Sequence, residues 1–146
     1  MSSIDRISGG VVDECIRIHR ELGPGLLESV YEAVLEAALV RRGLKVDRQM
    51  PVDIKYDGLR LPAAFRIDLL IENALILEIK SIERLSNLHA KQLLTYLRLT
   101  KQPVGLLLNF AGETMKEGIR RLVNDHRSSL PLSAPPRLRA NQINGA

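Results

Sequence analysis

Three charged side chains in one short segment, Asp68, Glu78 and Lys80, have types and spacing suited to chemistry. The segment, residues 65–81, consists of two apolar runs around a short polar turn. If the turn centres on Asn73, hairpin pairing places Asp68 directly across from Glu78. Side chains alternate along a strand, so Lys80 shares the face of Glu78. The pattern predicts two opposed carboxylates beside an ammonium group.

The same alternation divides the hairpin into a charged face and an apolar face. Arg66 joins the three charged residues on the first face. The second face is predicted to pack in the core and carries only apolar side chains, those of Phe65, Ile67, Leu69, Ile71, Leu75, Leu77 and Ile79.

Carboxylates that face each other destabilise a sheet unless they share a cation. Oxygen ligands of this kind suit Mg²⁺ or Mn²⁺, and an adjacent ammonium group can activate a water molecule or neutralise a phosphate. The predicted chemistry is hydrolysis of a phosphodiester bond. The alternative is a solvated hairpin face on which Glu78 and Lys80 only offset each other's charge.

Two further motifs flank these residues in the chain. Residues 25–31 read GLLESVY, a GxxExxY pattern, and residues 89–96 read HAKQLLTY, which joins HxxQ to QxxxY. Together with Asp68 and the E-I-K triplet at 78–80, they resemble the GxxExxY family of the PD-(D/E)xK superfamily, the restriction-endonuclease-like nucleases. The resemblance covers about residues 7–110, and its elements occur in the family's order.

The resemblance implies a role for each matching residue. Asp68 and Glu78 would bind the metal ion, and Lys80 would be the catalytic lysine. Glu28 would be a third acidic ligand of the metal ion. The catalytic residues would be the two carboxylates, Lys80, Glu28 and Gln92. The residues implied to bind substrate are Gln92, Tyr96, Tyr31 and His89.

Several of these residues also have a purely structural interpretation. Tyr31 and Tyr96 could be half-buried packing residues with hydroxyls at the surface. His89 could be a helix-surface residue, and Glu28 could be an acid favoured in the first helical turn by the helix dipole.

Two function classes follow from these residues. The first is a metal-dependent nuclease, and the second is a catalytically inactive nucleic-acid-binding or protein-interaction domain on the same fold. The combination of Asp68, Glu78 and Lys80 favours the nuclease, because a binding module needs no opposed carboxylates beside a lysine. By analogy, QxxxY favours DNA over RNA. A homodimer is expected, because a domain this small often needs a second subunit to hold a duplex.

Composition limits the class of protein. The chain has 146 residues, which predicts one domain. Its single cysteine, Cys15, cannot form an intrachain disulfide, so a reducing cytoplasm is expected. No apolar run approaches the ~18 residues that a membrane span needs, so no membrane partner is predicted.

The basic character of the chain is concentrated at its end. The net charge is +4, but residues 127–146 contain arginines and no acidic residue. This segment is also rich in Pro, Ser and Asn. We therefore predict a domain over residues 1–126 and a flexible tail over residues 127–146.

The predicted fold class is α/β, with a restriction-endonuclease-like core in which helices flank a mixed β-sheet. The helices before the sheet are expected over about residues 11–22 and 27–42, each ending at glycine. The predicted order is α-α-β-β-β-α-β-α. After the first two helices, one or two strands broken at Pro51 are expected over 45–56, followed by a turn at Asp57-Gly58 and the hairpin described above. The remaining predicted elements are a helix from Ser86 to about Thr100, a strand over 104–110 and a final helix over about Glu113–His126.

Overall fold

The structure is a computed structural model that describes residues 2–125. The predicted tail over 127–146 and the end of the predicted final helix at His126 lie outside the described residues. The elements are α1 (Ser3–Leu22), α2 (Glu28–Arg41), β1 (Val46–Tyr56), β2 (Leu59–Ile71), β3 (Leu75–Lys80), α3 (Asn87–Thr100), β4 (Val104–Asn109) and β5 (Ile119–Val123).

The five strands form one mixed sheet in the order β1-β2-β3-β4-β5. Neighbouring strands are antiparallel except for β3 and β4, which are parallel and are connected through α3. A parallel pair requires such a crossover, because a tight turn reverses the direction of the chain and can join only antiparallel strands. This mixed sheet confirms the predicted fold class.

Helices cover both faces of the sheet. On one face, α1 and α2 supply residues such as Val11 and Leu35 to a cluster that includes Leu77 and Leu106. On the other face, α3 supplies Leu93 and Leu97 to a second cluster. Apart from Glu78, Lys80 and Asn109, the strands β3 and β4 are apolar on both sides, because each side meets a helix layer.

The two hairpin turns lie where the sequence predicts them. Asp57 and Gly58 have φ angles of 52° and 77°, and Glu72 and Asn73 have φ angles of 51° and 52°. Two successive positive φ values are typical of the type I′ turn that closes a hairpin. The second turn sets the register of β2 against β3.

The apolar face predicted for the β2–β3 hairpin is divided between the two sides of the sheet. Leu69 packs with α1 and α2 as predicted, but Phe65 and Ile67 pack in the α3 cluster. Leu70, which strict alternation assigns to the charged face, is also buried in the α3 cluster. The alternation of β2 therefore changes beside Asp68, and the prediction for Phe65 and Ile67 was wrong.

The predicted final helix over Glu113–His126 was also wrong. The chain instead forms a short 3₁₀ turn, Lys116–Gly118, and then β5, which pairs antiparallel with β4. Ile119 packs against the α1–α2 cluster, whereas Leu122 packs against the α3 cluster. A helix would place both side chains on one side, and it would leave the edge of β4 unpaired.

Within residues 2–125, no helix has the length and apolar character needed to span a membrane.

We predict that Gly118→Ala destabilises the domain, because a Cβ at this position would overlap the carbonyl oxygen of Asn109 at the end of β4. Overpacking of this kind should lower the free energy of unfolding by about 1–3 kcal/mol, as measured by urea denaturation. Gly9→Ala on α1 is the control, since an added Cβ there meets no atom within 4 Å. It should be neutral or stabilise by up to about 1 kcal/mol. Wild-type stability in Gly118→Ala would contradict the close contact between the 3₁₀ turn and Asn109 at the end of β4.

Candidate active site

Strands β2 and β3 separate where the sequence places the two carboxylates. Their ladder pairs Leu69 with Leu77 and continues to the turn in the predicted register. Beyond this pair, the backbone N–H of Asp68 donates to Glu78 Oε2 at 3.1 Å, and the N–H of Ile79 donates to Asp68 Oδ2 at 2.9 Å. Each carboxylate thus accepts a hydrogen bond from the opposite strand. The structure brings Asp68 and Glu78 together.

Burial and neighbouring negative charge raise the pKa of both carboxyl groups. Glu78 is 5 % exposed. Desolvation, followed by the charge of Asp68, raises the pKa of Glu78 from 4.5 to about 8. Desolvation is also the largest cause that raises the pKa of Asp68, and the charge of Glu32 adds to it. Near neutral pH, the pair therefore holds a proton unless a cation replaces it.

Lys80 supplies positive charge beside this pair. It lies at the end of β3, opposite Asn109 of β4. Its charge lowers the pKa of Asp68 and Glu78, although the effect of burial is larger. Among residues 2–125, no carboxylate forms an ion pair with its ammonium group. The ammonium is available to a negatively charged ligand.

The side chain of Gln49 connects Asp68 to helix α2. Its Nε2 lies 3.3 Å from Asp68 Oδ1 and 2.9 Å from Glu32 Oε1. Glu32 is buried, and Arg48 donates from Nε to its other oxygen at 2.6 Å. Gln49 therefore contacts Asp68 directly, and Glu32 and Arg48 extend this network to α2; the motifs include none of these three residues.

A sequence signal exists for only one of these residues. Glu32 follows Glu28 by four positions, so the two side chains share one face of the helix. Gln49 and Arg48 carry no such signal, because their contacts depend on how β1 pairs with β2 and packs against α2.

Glu28 lies apart from the carboxylate pair. Its Oε2 accepts a hydrogen bond from the N–H of Ser81 at 3.1 Å, and Ser81 Oγ donates to the carbonyl oxygen of Leu26 at 2.7 Å. Within the described part of the chain, no group of three or more His, Cys, Asp or Glu residues is arranged to hold a metal ion. Among the described residues, Glu28 is therefore not part of a three-carboxylate site. Its hydrogen bond instead connects the start of α2 to the residue that follows β3.

A cleft of about 720 Å³ opens next to Glu28. Its walls are the α1–α2 loop and the loop that follows β3. Asn109 holds the second loop, since its side chain accepts from the N–H of Ile82 at 3.1 Å and donates to the Ile82 carbonyl at 2.9 Å. Asn109 is a further residue that the motifs do not identify, and its effect is to fix the chain immediately after Lys80.

Tyr31 is a core residue and has no exposed surface. Its ring stacks on Phe110, with ring centroids 4.4 Å apart. Its hydroxyl donates to the Gly23 carbonyl at 2.5 Å and accepts from the N–H of Leu26 at 3.2 Å. A side chain without exposed surface cannot contact a substrate, so the predicted substrate role of Tyr31 is replaced by support of the α1–α2 loop.

Tyr96 lies near the carboxylate pair from the α3 side. Its ring stacks on Phe65, with centroids 4.0 Å apart. Burial raises the pKa of Tyr96, and the charges of Glu78 and Asp68 raise it further. Among the described residues, none forms a hydrogen bond with its hydroxyl, which leaves that group free for a ligand.

Gln92 and His89 occupy the first half of α3. Gln92 is exposed and lies one turn before Tyr96, so the two side chains share a helix face. His89 Nδ1 accepts a hydrogen bond from the backbone N–H of Ser86 at 2.9 Å. The structure therefore gives His89 a part in the capping of α3, while it leaves Gln92 exposed to solvent.

Comparison with known families places the chain in one of them. A family model described as the PD-(D/E)XK nuclease superfamily matches residues 5–122. This chain belongs to the PD-(D/E)XK nuclease superfamily. The match confirms the superfamily that the motifs predict and spans every predicted site residue. A search of curated proteins and a search of solved structures found no match.

The raised pKa of Glu78 predicts how the stability of the metal-free protein changes with pH. The folded protein keeps this proton at pH values where the unfolded chain releases it, so the stabilising contribution is full below pH 4.5 and is lost as pH rises through about 8. Glu78→Gln should remove most of this slope. At about pH 8.5, it should be more stable than wild type by a few kcal/mol, since one pKa unit is worth about 1.4 kcal/mol.

Urea denaturation in EDTA at several pH values measures this difference. If wild type and Glu78→Gln have the same pH dependence, Glu78 is not the buried carboxyl group that holds the proton.

Proposed function

We propose that this superfamily member is a Mg²⁺- or Mn²⁺-dependent nuclease that hydrolyses phosphodiester bonds of nucleic acid, with DNA as the expected substrate. The observation that carries the proposal is the buried pair of Asp68 and Glu78, whose pKa values are raised, beside the ammonium group of Lys80. A carboxyl group whose pKa is strongly shifted, as that of Glu78 is, next to a specific charged partner is typical of catalytic sites.

The residues of the pair fit a hard divalent cation. Both are oxygen donors, and among the described residues Glu78 accepts a hydrogen bond only on Oε2, which leaves Oε1 for a ligand. Magnesium in proteins commonly keeps several waters and takes only one or two carboxylates, so Asp68 and Glu78 suffice as its protein ligands. Glu28, which the family resemblance would add, is not needed for this donor set.

A bound ion would supply Lewis-acid polarisation of the phosphate and a water of lowered pKa. Lys80 would neutralise charge that develops on the phosphate oxygens, because its ammonium has no carboxylate partner in the described chain. Hydrogen bonds from the opposite strand would keep each of the two carboxylates in position to bind the ion.

The α3 side of the site would bind the substrate. Tyr96 is near enough to the pair for both carboxylates to raise its pKa, and its hydroxyl is free to bind a phosphate oxygen. Gln92 lies on the same face of α3 and is exposed, so it can contact a nucleotide beyond the cleaved bond. DNA rather than RNA as the substrate, a homodimer and a cytoplasmic location stay predictions.

We predict that Mn²⁺ binding depends on Asp68. Calorimetry should show that wild type binds Mn²⁺ and that Asp68→Asn does not, because the substitution removes one of the two charged ligands. Asp53→Asn is the matched control: Asp53 also accepts a backbone hydrogen bond, but it lies on the exposed β1–β2 hairpin and pairs with Arg60. Equal affinity in wild type and Asp68→Asn would remove the proposed metal site.

We also predict that Lys80→Ala lowers metal-dependent cleavage by roughly 100-fold or more and leaves Mn²⁺ affinity nearly unchanged, since Lys80 acts on the phosphate and is not a ligand. Lys55→Ala, which removes an exposed lysine from β1, controls for the loss of one positive charge. Cleavage of single- and double-stranded DNA and RNA should be measured at one salt concentration, because phosphate binding depends steeply on ionic strength.

The controls also separate the two function classes. Equal metal-dependent cleavage by wild type and Lys80→Ala would assign the activity to a contaminant or another site. Tight binding of a nucleic acid without cleavage by either protein would favour the inactive binding domain.

A further inference from the structure

We infer that Gln49 is a positioning residue: its side-chain amide holds the Asp68 carboxylate opposite Glu78 and anchors it to helix α2 through Glu32. The inference rests on the proposed function, because it assigns the group that orients one of the two metal ligands. Gln49 belongs to none of the motifs that identify the superfamily.

The hydrogen bonds of the Gln49 amide are consistent with only one orientation of its NH₂ group. Gln49 Nε2 lies 2.9 Å from Glu32 Oε1 and 3.3 Å from Asp68 Oδ1. Both carboxylate oxygens therefore accept from the NH₂ group, because the other polar atom of the amide, its oxygen, has no hydrogen to donate. Its two N–H bonds are then both used, one for each carboxylate. Glutamine is the neutral side chain of this length that can donate to both.

The backbone of Gln49 supports the same conclusion. Its φ angle is 52°, in the left-handed region, although it lies inside strand β1. Arg48 and Met50 pair with β2 on either side of it, whereas the ladder includes no pair between Gln49 and Asp68. A non-glycine residue keeps this strained conformation only where its surroundings fix it, and such residues are concentrated at functional sites.

Glu32 is a rigid anchor for this contact. Its side chain is 7 % exposed, and Arg48 binds its second oxygen at 2.6 Å while also donating to Glu36 at 3.2 Å. The neighbouring residues Tyr31 and Leu35 fix α2 in the core.

Asp68 is therefore held on both oxygens. Ile79 donates to Oδ2 and Gln49 donates to Oδ1. A carboxylate oxygen has two lone pairs, so Oδ1 can accept from Gln49 and still bind a cation.

The test is Mn²⁺ calorimetry on Gln49→Met, which keeps the approximate volume of the side chain and removes both N–H donors. Loss of a group that orients a metal ligand typically weakens affinity about 10–100-fold, and we expect a loss in this range. Gln102→Met, in the turn after α3, is the matched control and should bind Mn²⁺ as wild type does. Wild-type affinity in Gln49→Met would overturn the inference.

Gln49→Gly keeps the inference testable if methionine cannot adopt the positive φ angle. Glycine accepts this backbone conformation without strain, so the variant is expected to fold. It should still lose Mn²⁺ affinity about 10–100-fold, because the amide is absent. Wild-type Mn²⁺ affinity in Gln49→Gly would show that the amide does not position Asp68 and would overturn the inference.

A metal-free measurement separates this inference from the proposed function. If wild type binds no Mn²⁺, the proposed metal site fails, and melting temperatures in EDTA then decide the role of Gln49. The effects of Gln49→Met and Asp68→Asn should be non-additive in the double variant, because the two residues share one interaction. Additive shifts would overturn the inference.

Discussion

Two carboxylates that face each other away from water are the constraint on which this structure depends. Asp68 and Glu78 lie where β2 and β3 separate, and each accepts an N–H from the opposite strand. Buried acids so close together cannot both carry a charge unless a cation compensates them. Without metal, the pair holds a proton, and the proposed Mg²⁺ or Mn²⁺ would take its place. The same conflict explains both the raised pKa values and the chemistry expected of the PD-(D/E)XK nuclease superfamily.

The elements around this pair each contribute one group to it. Helix α2 and β1 contribute Glu32 and Gln49, which hold Asp68 from the β1 side. Strand β3 contributes Lys80, whose ammonium group forms no ion pair with a carboxylate of the described residues, and α3 contributes Tyr96. The packing on both faces of the sheet therefore has a second effect besides stability. It removes water from the carboxylates, which is the largest cause of their raised pKa values.

The sequence predicted the hairpin register because two apolar runs around Asn73 allow only one pairing that keeps both runs buried. Predictions from the sequence were wrong or missing where the structure depends on the packing of several elements at once. Strict alternation misplaced Ile67, because β2 becomes irregular beside Asp68. Apolar residues at helical spacing predicted a helix where the chain forms strand β5, whose side chains face opposite sides of the sheet. Gln49 could not be predicted, because its position follows from the β1–β2 pairing and not from any local pattern.

The most direct test of the carboxylate pair is to count the protons released when the metal binds. Calorimetry of Mn²⁺ binding near neutral pH, in buffers of different ionisation enthalpy, gives that number. Since the pKa of Glu78 is raised to about 8, wild type should release about one proton for each ion bound, because the ion displaces the proton that the pair holds. Glu78→Gln should release none from this site. Binding by wild type without proton release, or the same release from Glu78→Gln, would contradict a buried pair that exchanges a proton for a metal ion.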